Sequence, residues 1–196
     1  KSMGFSVVDK VADSLEASIQ YPSLNIRGMG SAWIGDQVRT IIPPTATAEI
    51  DIRLVKESDP EYLVGLIRDH IEKQGFVVID RPPTDAERMS GNKYVQLNHF
   101  TSYPAFRTEF DSLPGRFAKS ALTHFNGSEP IMLRTMGGSI PISPFVDTLD
   151  VPAVTVPTVN PDNNQHSPNE NIRVGNFIDG IATIAAVLAE KVGNRE

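Results

Sequence analysis

An α/β chain is predicted, in which a small antiparallel sheet with a helix on one face is followed by a layer of alternating helices and short parallel strands. Three observations predict it. Apolar Ala46, Ala48, Ile50, Ile52 and Leu54 alternate with polar Thr47, Glu49, Asp51 and Arg53, the period-two pattern of a half-buried strand. Leu63, Leu66, Ile67 and Ile71 recur at three- and four-residue spacing, which puts one apolar stripe on a helix. Beyond Pro104 helical stripes are separated by short β-branched runs, the pattern of a layer with parallel strands.

Taken in order, Val8, Val11, Ala12, Leu15 and Ile19 predict a helix from about Ser6 to Gln20, closed by Tyr21-Pro22. From Ser23 the period shortens, with Leu24, Ile26, Ala32 and Ile34 leading to the strand at Thr45 to Leu54. Ser58-Asp59-Pro60-Glu61 has Ser three before Glu and Pro in the first turn, a capping box for the helix that Gly75 ends. Phe76–Ile79 is a short strand, left through Arg81-Pro82-Pro83-Thr84. Two strands, a helix and a strand make most of a split βαβ unit without its opening strand and helix. Residues 85–103 are polar, with one extended segment around Tyr94 to Phe100, and a domain boundary is placed there.

The expected division is therefore an N-terminal helix (1–21), a first domain (22–103) and a second (104–196). In the second, a helix begins near Ser112, strands cover Ile131 to Arg134 and Ala153 to Val156, a short helix covers Pro144 to Leu149, and a last helix runs from about Pro168 to Lys191. Ligands of such layers sit beyond the carboxyl ends of the strands. Two loops take that position, one at Thr135 to Ser139 and one at Asn160 to His166.

Composition narrows the function. The 196 residues are 40% hydrophobic and 21% charged, the balance of a folded globule. No run approaches the ~18 consecutive apolar residues of a membrane helix. A net charge of -6 without any basic run argues against a nucleic-acid partner. With no cysteine there is no disulfide, thiolate nucleophile or Cys-ligated zinc, while His, Asp and Glu sites stay open. The chain opens at Lys1 and meets its first Met at position 3, as a piece of a longer polypeptide would.

Among residues that carry chemistry, His166 ends a Pro- and Asn-rich loop before a helix start, where an imidazole can face a crevice. A loop histidine without a role is the plain alternative. Ser167-Pro168-Asn169-Glu170 reads as a capping box, which accounts for Ser167 and Glu170 without catalysis. Gly137-Gly138-Ser139 would let backbone N–H groups and one hydroxyl approach an anion or carbonyl, or is simply a tight turn. Arg53 is placed to clamp a carboxylate, or to pair with Glu49 or Asp51. Thr40 offers a hydroxyl to a ligand or merely favours extended backbone. His70, His99 and His124 have no ligand-spaced partner, and the chain has no HExxH, His-x-Asp or Glu-Glu.

Thr40-Ile41-Ile42-Pro43, Asp51-Ile52-Arg53-Leu54-Val55, Gly137-Gly138-Ser139-Ile140-Pro141 and His166-Ser167-Pro168-Asn169-Glu170 stand in the order found in a known family. From about Ser23 to Val192 the chain resembles the di-zinc peptidases that include aminoacylase, acetylornithine deacetylase, glutamate carboxypeptidase and carnosinase. The resemblance implies a ferredoxin-like lid, or dimerisation domain, inserted in an α/β zinc-binding catalytic domain, with residues 22 to about 100 as most of the lid. It implies two zinc ions, or manganese or cobalt in their place, with His166 the last protein ligand of one. Arg53 then holds the free carboxylate of a peptide or N-acyl amino acid, Thr40 reaches the substrate, and Gly137, Gly138 and Ser139 line the pocket. Arg53 and Thr40 serve the neighbouring subunit of a homodimer in carnosinase-like members.

The family's other metal ligands, its Glu-Glu general base and its lid histidine precede this segment and are not in it. A zinc-dependent amide hydrolase (dipeptidase, carboxypeptidase or N-acyl-amino-acid deacylase) is the expected function of the intact protein, with the piece alone inactive. The rivals are a non-catalytic dimerisation and binding module, and an open-sheet anion-binding protein using Gly137 to Ser139. Cytoplasmic residence is expected. So is self-association of the isolated chain through the face left bare.

Overall fold

The computed structural model describes residues 6–7 and 10–191, which fall into two compact units divided between Phe106 and Arg107. The first contains helix α1 (Leu15–Ser18), strands β1 (Ser23–Gly30) and β2 (Thr47–Arg53), helix α2 (Pro60–Lys73), strand β3 (Phe76–Ile79), helix α3 (Asp85–Met89) and strand β4 (Lys93–Gln96). The second contains helices α4 (Leu113–Asn126), α5 (Ser143–Leu149) and α6 (Val174–Ala189). None of the helices is long and apolar enough to cross a membrane, among the described residues.

In the first unit β1 and β2 form an antiparallel hairpin running from the pair Ser23–Arg53 to the pair Gly30–Thr47, with a register shift between Ile26 and Gly28. Leu24 faces Ile52 and Ile26 faces Ile50, so the alternation read from the sequence puts four apolar side chains on one face. The expected single antiparallel sheet is not what forms. β3 pairs in parallel with β4, in a second two-stranded sheet, and α2 packs on β3. The connection from Ile79 to Lys93 makes this possible, because parallel pairing needs a crossover of about a dozen residues, and α3 supplies it.

Three helix starts in this unit differ from expectation for identifiable reasons. The predicted helix at 6–20 shrinks to α1, with Val8 outside the described residues. Ser14 accepts from the Ala17 N–H at 3.1 Å and starts the helix late, and Val11 and Leu15 remain exposed, so no packed face stabilises a longer one. At α2 the cap is Asp59, whose Oδ1 accepts from the N–H groups of Glu61 at 2.9 Å and Tyr62 at 3.3 Å. Pro60 at the first helical position makes the preceding residue the cap, and Ser58 turns back to accept from the Val55 N–H. A true capping box occurs at Thr84 and Glu87 of α3, a helix the sequence reading left as connection.

In the second unit α4 starts as expected, with Ser112 Oγ accepting from the Gly115 N–H at 3.2 Å, and ends at Gly127 with φ +70°. α4 packs on α6: Ser120 Oγ donates to Glu190 Oε1 at 2.8 Å, and His124 Nδ1 lies 3.0 Å from Glu190 Oε2. Between them Ala121 is 1% exposed. The predicted strands at 131–134 and 153–156 are not assigned as strands, and no described residue of this unit joins a ladder. A parallel strand is stabilised by neighbours on both edges and both faces, whereas Ile131 here is 92% exposed. The last helix begins at Val174 rather than Pro168.

Candidate functional site

The most closely tied of the predicted site segments is the loop of residues 160–173, which carries His166. Asn160, 1% exposed, donates from Nδ2 to Asp162 Oδ1 at 2.8 Å and accepts at Oδ1 from the Arg173 N–H at 3.1 Å. The Arg173 guanidinium also pairs with Asp162. One buried amide thus ties the start of the loop to its last residue, which caps α6. Inside, the Asn171 N–H donates to the Asn163 carbonyl at 2.9 Å, the Gln165 N–H to Asn163 Oδ1 at 3.2 Å, and Asn164 Nδ2 to the Pro168 carbonyl. The last two are side-chain bonds to nearby backbone of the kind Asn favours. The Asn160 amide, and then Arg173, hold the Asp162 carboxyl below its usual range.

Within this frame Asn164, His166 and Asn169 take left-handed backbone, with φ of +58°, +62° and +64°. Asn and His are among the residues that reach that region most readily. His166 is exposed on the loop. The predicted capping box at Ser167 and Glu170 does not form, because left-handed Asn169 breaks the helical path and α6 starts four residues after Glu170.

Gly137, Gly138 and Ser139 precede α5 in an exposed stretch without a strand before it. A Cβ at Gly138 would meet nothing within 4 Å, so internal crowding does not explain the glycine there.

In the first unit Arg53 closes β2 opposite Ser23 and pairs through Nε with Asp51 Oδ2 at 2.6 Å, one of the two partners weighed from sequence. Thr40 lies exposed in the connection between β1 and β2. That connection leaves the ladder at Gly30 and rejoins it at Thr47, and the seven residues from Thr40 to Thr47 can span roughly 23 Å when extended, enough to reach back along the hairpin.

No group of three His, Asp or Glu that could hold a metal ion occurs among the described residues. A protein zinc site takes three or four such ligands, and the exposed imidazole of His166 is a single candidate donor.

Residues 8–77 match the model of the peptidase dimerisation domain of the M20 family. Over those residues the chain carries an M20 peptidase dimerisation domain. It is 32% identical over 188 residues to a Cys-Gly metallodipeptidase of Saccharomyces cerevisiae, an alignment covering 93% of this chain and 36% of the relative. To a Beta-Ala-His dipeptidase of Homo sapiens it is 29% identical over 172 residues, covering 87% and 32%. The crystal structure of human carnosine dipeptidase 1 superimposes with a TM-score of 0.67 at 28% identity, covering 92% of this chain and 36% of that one. The chain thus spans about a third of the length of the relatives it matches. Sequence reasoning missed Asn160, Asp162 and Arg173; the run Asn160-Pro161-Asp162-Asn163-Asn164 was their only signal, and it announces a turn without saying which Asn is buried.

Proposed function

We propose that the intact protein is a metal-dependent amide hydrolase acting on dipeptides or N-acyl amino acids with a free carboxylate. In this reading residues 22–103 are most of its lid and 104–196 the closing part of its catalytic domain, and the division after Phe106 supports the split. Two zinc ions, with manganese or cobalt as alternatives, are the proposed complement. The observation that carries the reading is the pinned loop holding His166 at φ +62°, a backbone state worth keeping where one side chain must be aimed. Similarity along nearly the whole chain to a Cys-Gly metallodipeptidase and a Beta-Ala-His dipeptidase supports it.

A bound divalent metal supplies Lewis-acid polarisation of the scissile carbonyl. His166 would contribute one imidazole ligand to it. Arg53, oriented by Asp51, takes the substrate carboxylate through two parallel hydrogen bonds. Thr40 donates its hydroxyl to the substrate, and the backbone at Gly137 and Gly138 lets the substrate come close, with the Ser139 hydroxyl beside it. A homodimer through 22–103 is proposed, with Arg53 and Thr40 serving the partner's site. Cytoplasmic residence belongs to the same proposal, and cell fractionation tests it.

The test uses the full-length protein. His166→Ala is expected to lower bound metal and abolish turnover, and Arg53→Ala to raise KM for a dipeptide far more than for its C-terminal amide. Full metal content and full turnover in His166→Ala would overturn the reading.

A further inference from the structure

The connection between β1 and β2, residues 31–46, is far longer than the two to five residues of an ordinary hairpin loop, and long ordered loops commonly serve function. It is ordered by contacts of its own. Ser31 Oγ donates to the Thr45 carbonyl at 2.9 Å and closes its base. Ala32, at φ +56°, and Gly35, at φ +61°, turn the chain on either side of Trp33. The Arg39 guanidinium carbon lies 4.8 Å from the centre of the Trp33 ring, a cation–π contact across the loop. The Ile41 N–H donates to the Arg39 carbonyl at 3.0 Å, which makes Thr40 the central residue of a three-residue turn.

Burial does not hold this loop: Ile42 is 94% exposed, and Ile34 and Val38 are exposed as well. What fixes the direction of Thr40 is the turn around it, and what fixes the turn is its first residue, Arg39, laid on Trp33. We infer that Trp33 and Arg39 are positioning residues that aim the Thr40 hydroxyl at the substrate, acting through their stack rather than by touching the substrate. This rests on the proposed role of Thr40.

The test compares steady-state kinetics of the full-length protein on one dipeptide for Thr40→Val, Arg39→Gln, Trp33→Leu, Trp33→Phe and the Trp33→Leu/Arg39→Gln double variant. Thr40→Val is expected to lower kcat/KM. Arg39→Gln and Trp33→Leu should each lower it by roughly tenfold or more, since small misplacements of a substrate-facing group cost that much, with the same division between kcat and KM as Thr40→Val. The double variant should be no worse than the poorer single one, and Trp33→Phe, which keeps an aromatic face, should retain most activity. Arg39 is exposed, so Arg39→Gln should keep its thermal midpoint and stay informative even if Trp33→Leu fails to fold. An impaired Thr40→Val beside an unaffected Arg39→Gln overturns the positioning role and leaves the functional reading standing. Losses that multiply in the double variant overturn it too, because Arg39 would then act independently of Trp33. An unaffected Thr40→Val removes both the role of Thr40 and the inference built on it.

Discussion

Asn160 is the residue on which the candidate metal loop turns. Its side chain satisfies the N–H of the loop's last residue and orients Asp162, and it does so fully buried. Asn160→Ala leaves the Arg173 N–H without that acceptor and is expected to cost about 1–3 kcal/mol, measured by denaturant unfolding, with weaker metal binding in the full-length protein. Unchanged stability would show that the loop is held elsewhere. The turn-rich loop around His166 was legible because Asn and Pro cluster before it. Asn160 was not, because an asparagine that anchors and one that merely turns look alike in a sequence. The Arg53 pairing with Asp51 was legible as one of two options, since residues two apart on a strand share a face.

At the scale of elements, caps decide where helices start, and one cap gives a pH prediction. Glu87 accepts from the Thr84 N–H at 2.7 Å and takes both Arg81 nitrogens at 2.8 Å. Arg81 first, then the Thr84 N–H, lower its pKa from 4.5 to about 2. A depressed carboxyl stabilises the fold above its unfolded value and stops doing so as protons are bound. Protection of the α3 amides from hydrogen exchange is therefore expected to fall between pH 4.5 and about 2, and to be flat over that range in Glu87→Gln. A second prediction contrasts two helical glycines. Gly65 in α2 has open space where a Cβ would go, so Gly65→Ala should gain about 0.5–1 kcal/mol. At Gly180 in α6 a Cβ would stand 3.0 Å from Thr158 Cβ, an atom fixed to the backbone, so Gly180→Ala should lose about 1–3 kcal/mol despite the better helix former. Equal thermal shifts of the two variants would refute the close approach. The same Ser/Thr-x-x-Glu spacing stands at Ser58 and at Thr84, but only at Thr84 does it form a box, because Pro60 moves the cap of α2 to Asp59.

For the whole molecule the surface is the telling quantity. The chain exposes 15815 Å², whereas two separate folded domains of half its mass would together expose roughly 11,000 Å². Large apolar side chains contribute to it: Leu24, Ile26 and Ile50 lie exposed on one face of the hairpin, and Phe177, Ile181 and Ile184 on α6. The 196-residue chain by itself is expected to self-associate and to unfold with little cooperativity, as light scattering and calorimetry would reveal; a monodisperse monomer with a sharp transition would contradict this. It is also expected to be inert toward dipeptides with added zinc, since it brings one metal donor.

The sequence by itself determined the local features: the alternation of β2, the stripe of α2, the stop at Gly75, the start of α4 at Ser112 and the turn-rich loop around His166. Each depends on residues a few positions apart, whose spacing sets which face they share and which N–H they cap. Only the tertiary structure decided that β3 pairs with β4 rather than with the hairpin, that 131–134 and 153–156 form no ladder, and that Asn160 is the buried anchor. Strand pairing and burial are properties of two distant segments meeting, and a pattern within one segment carries no record of its partner.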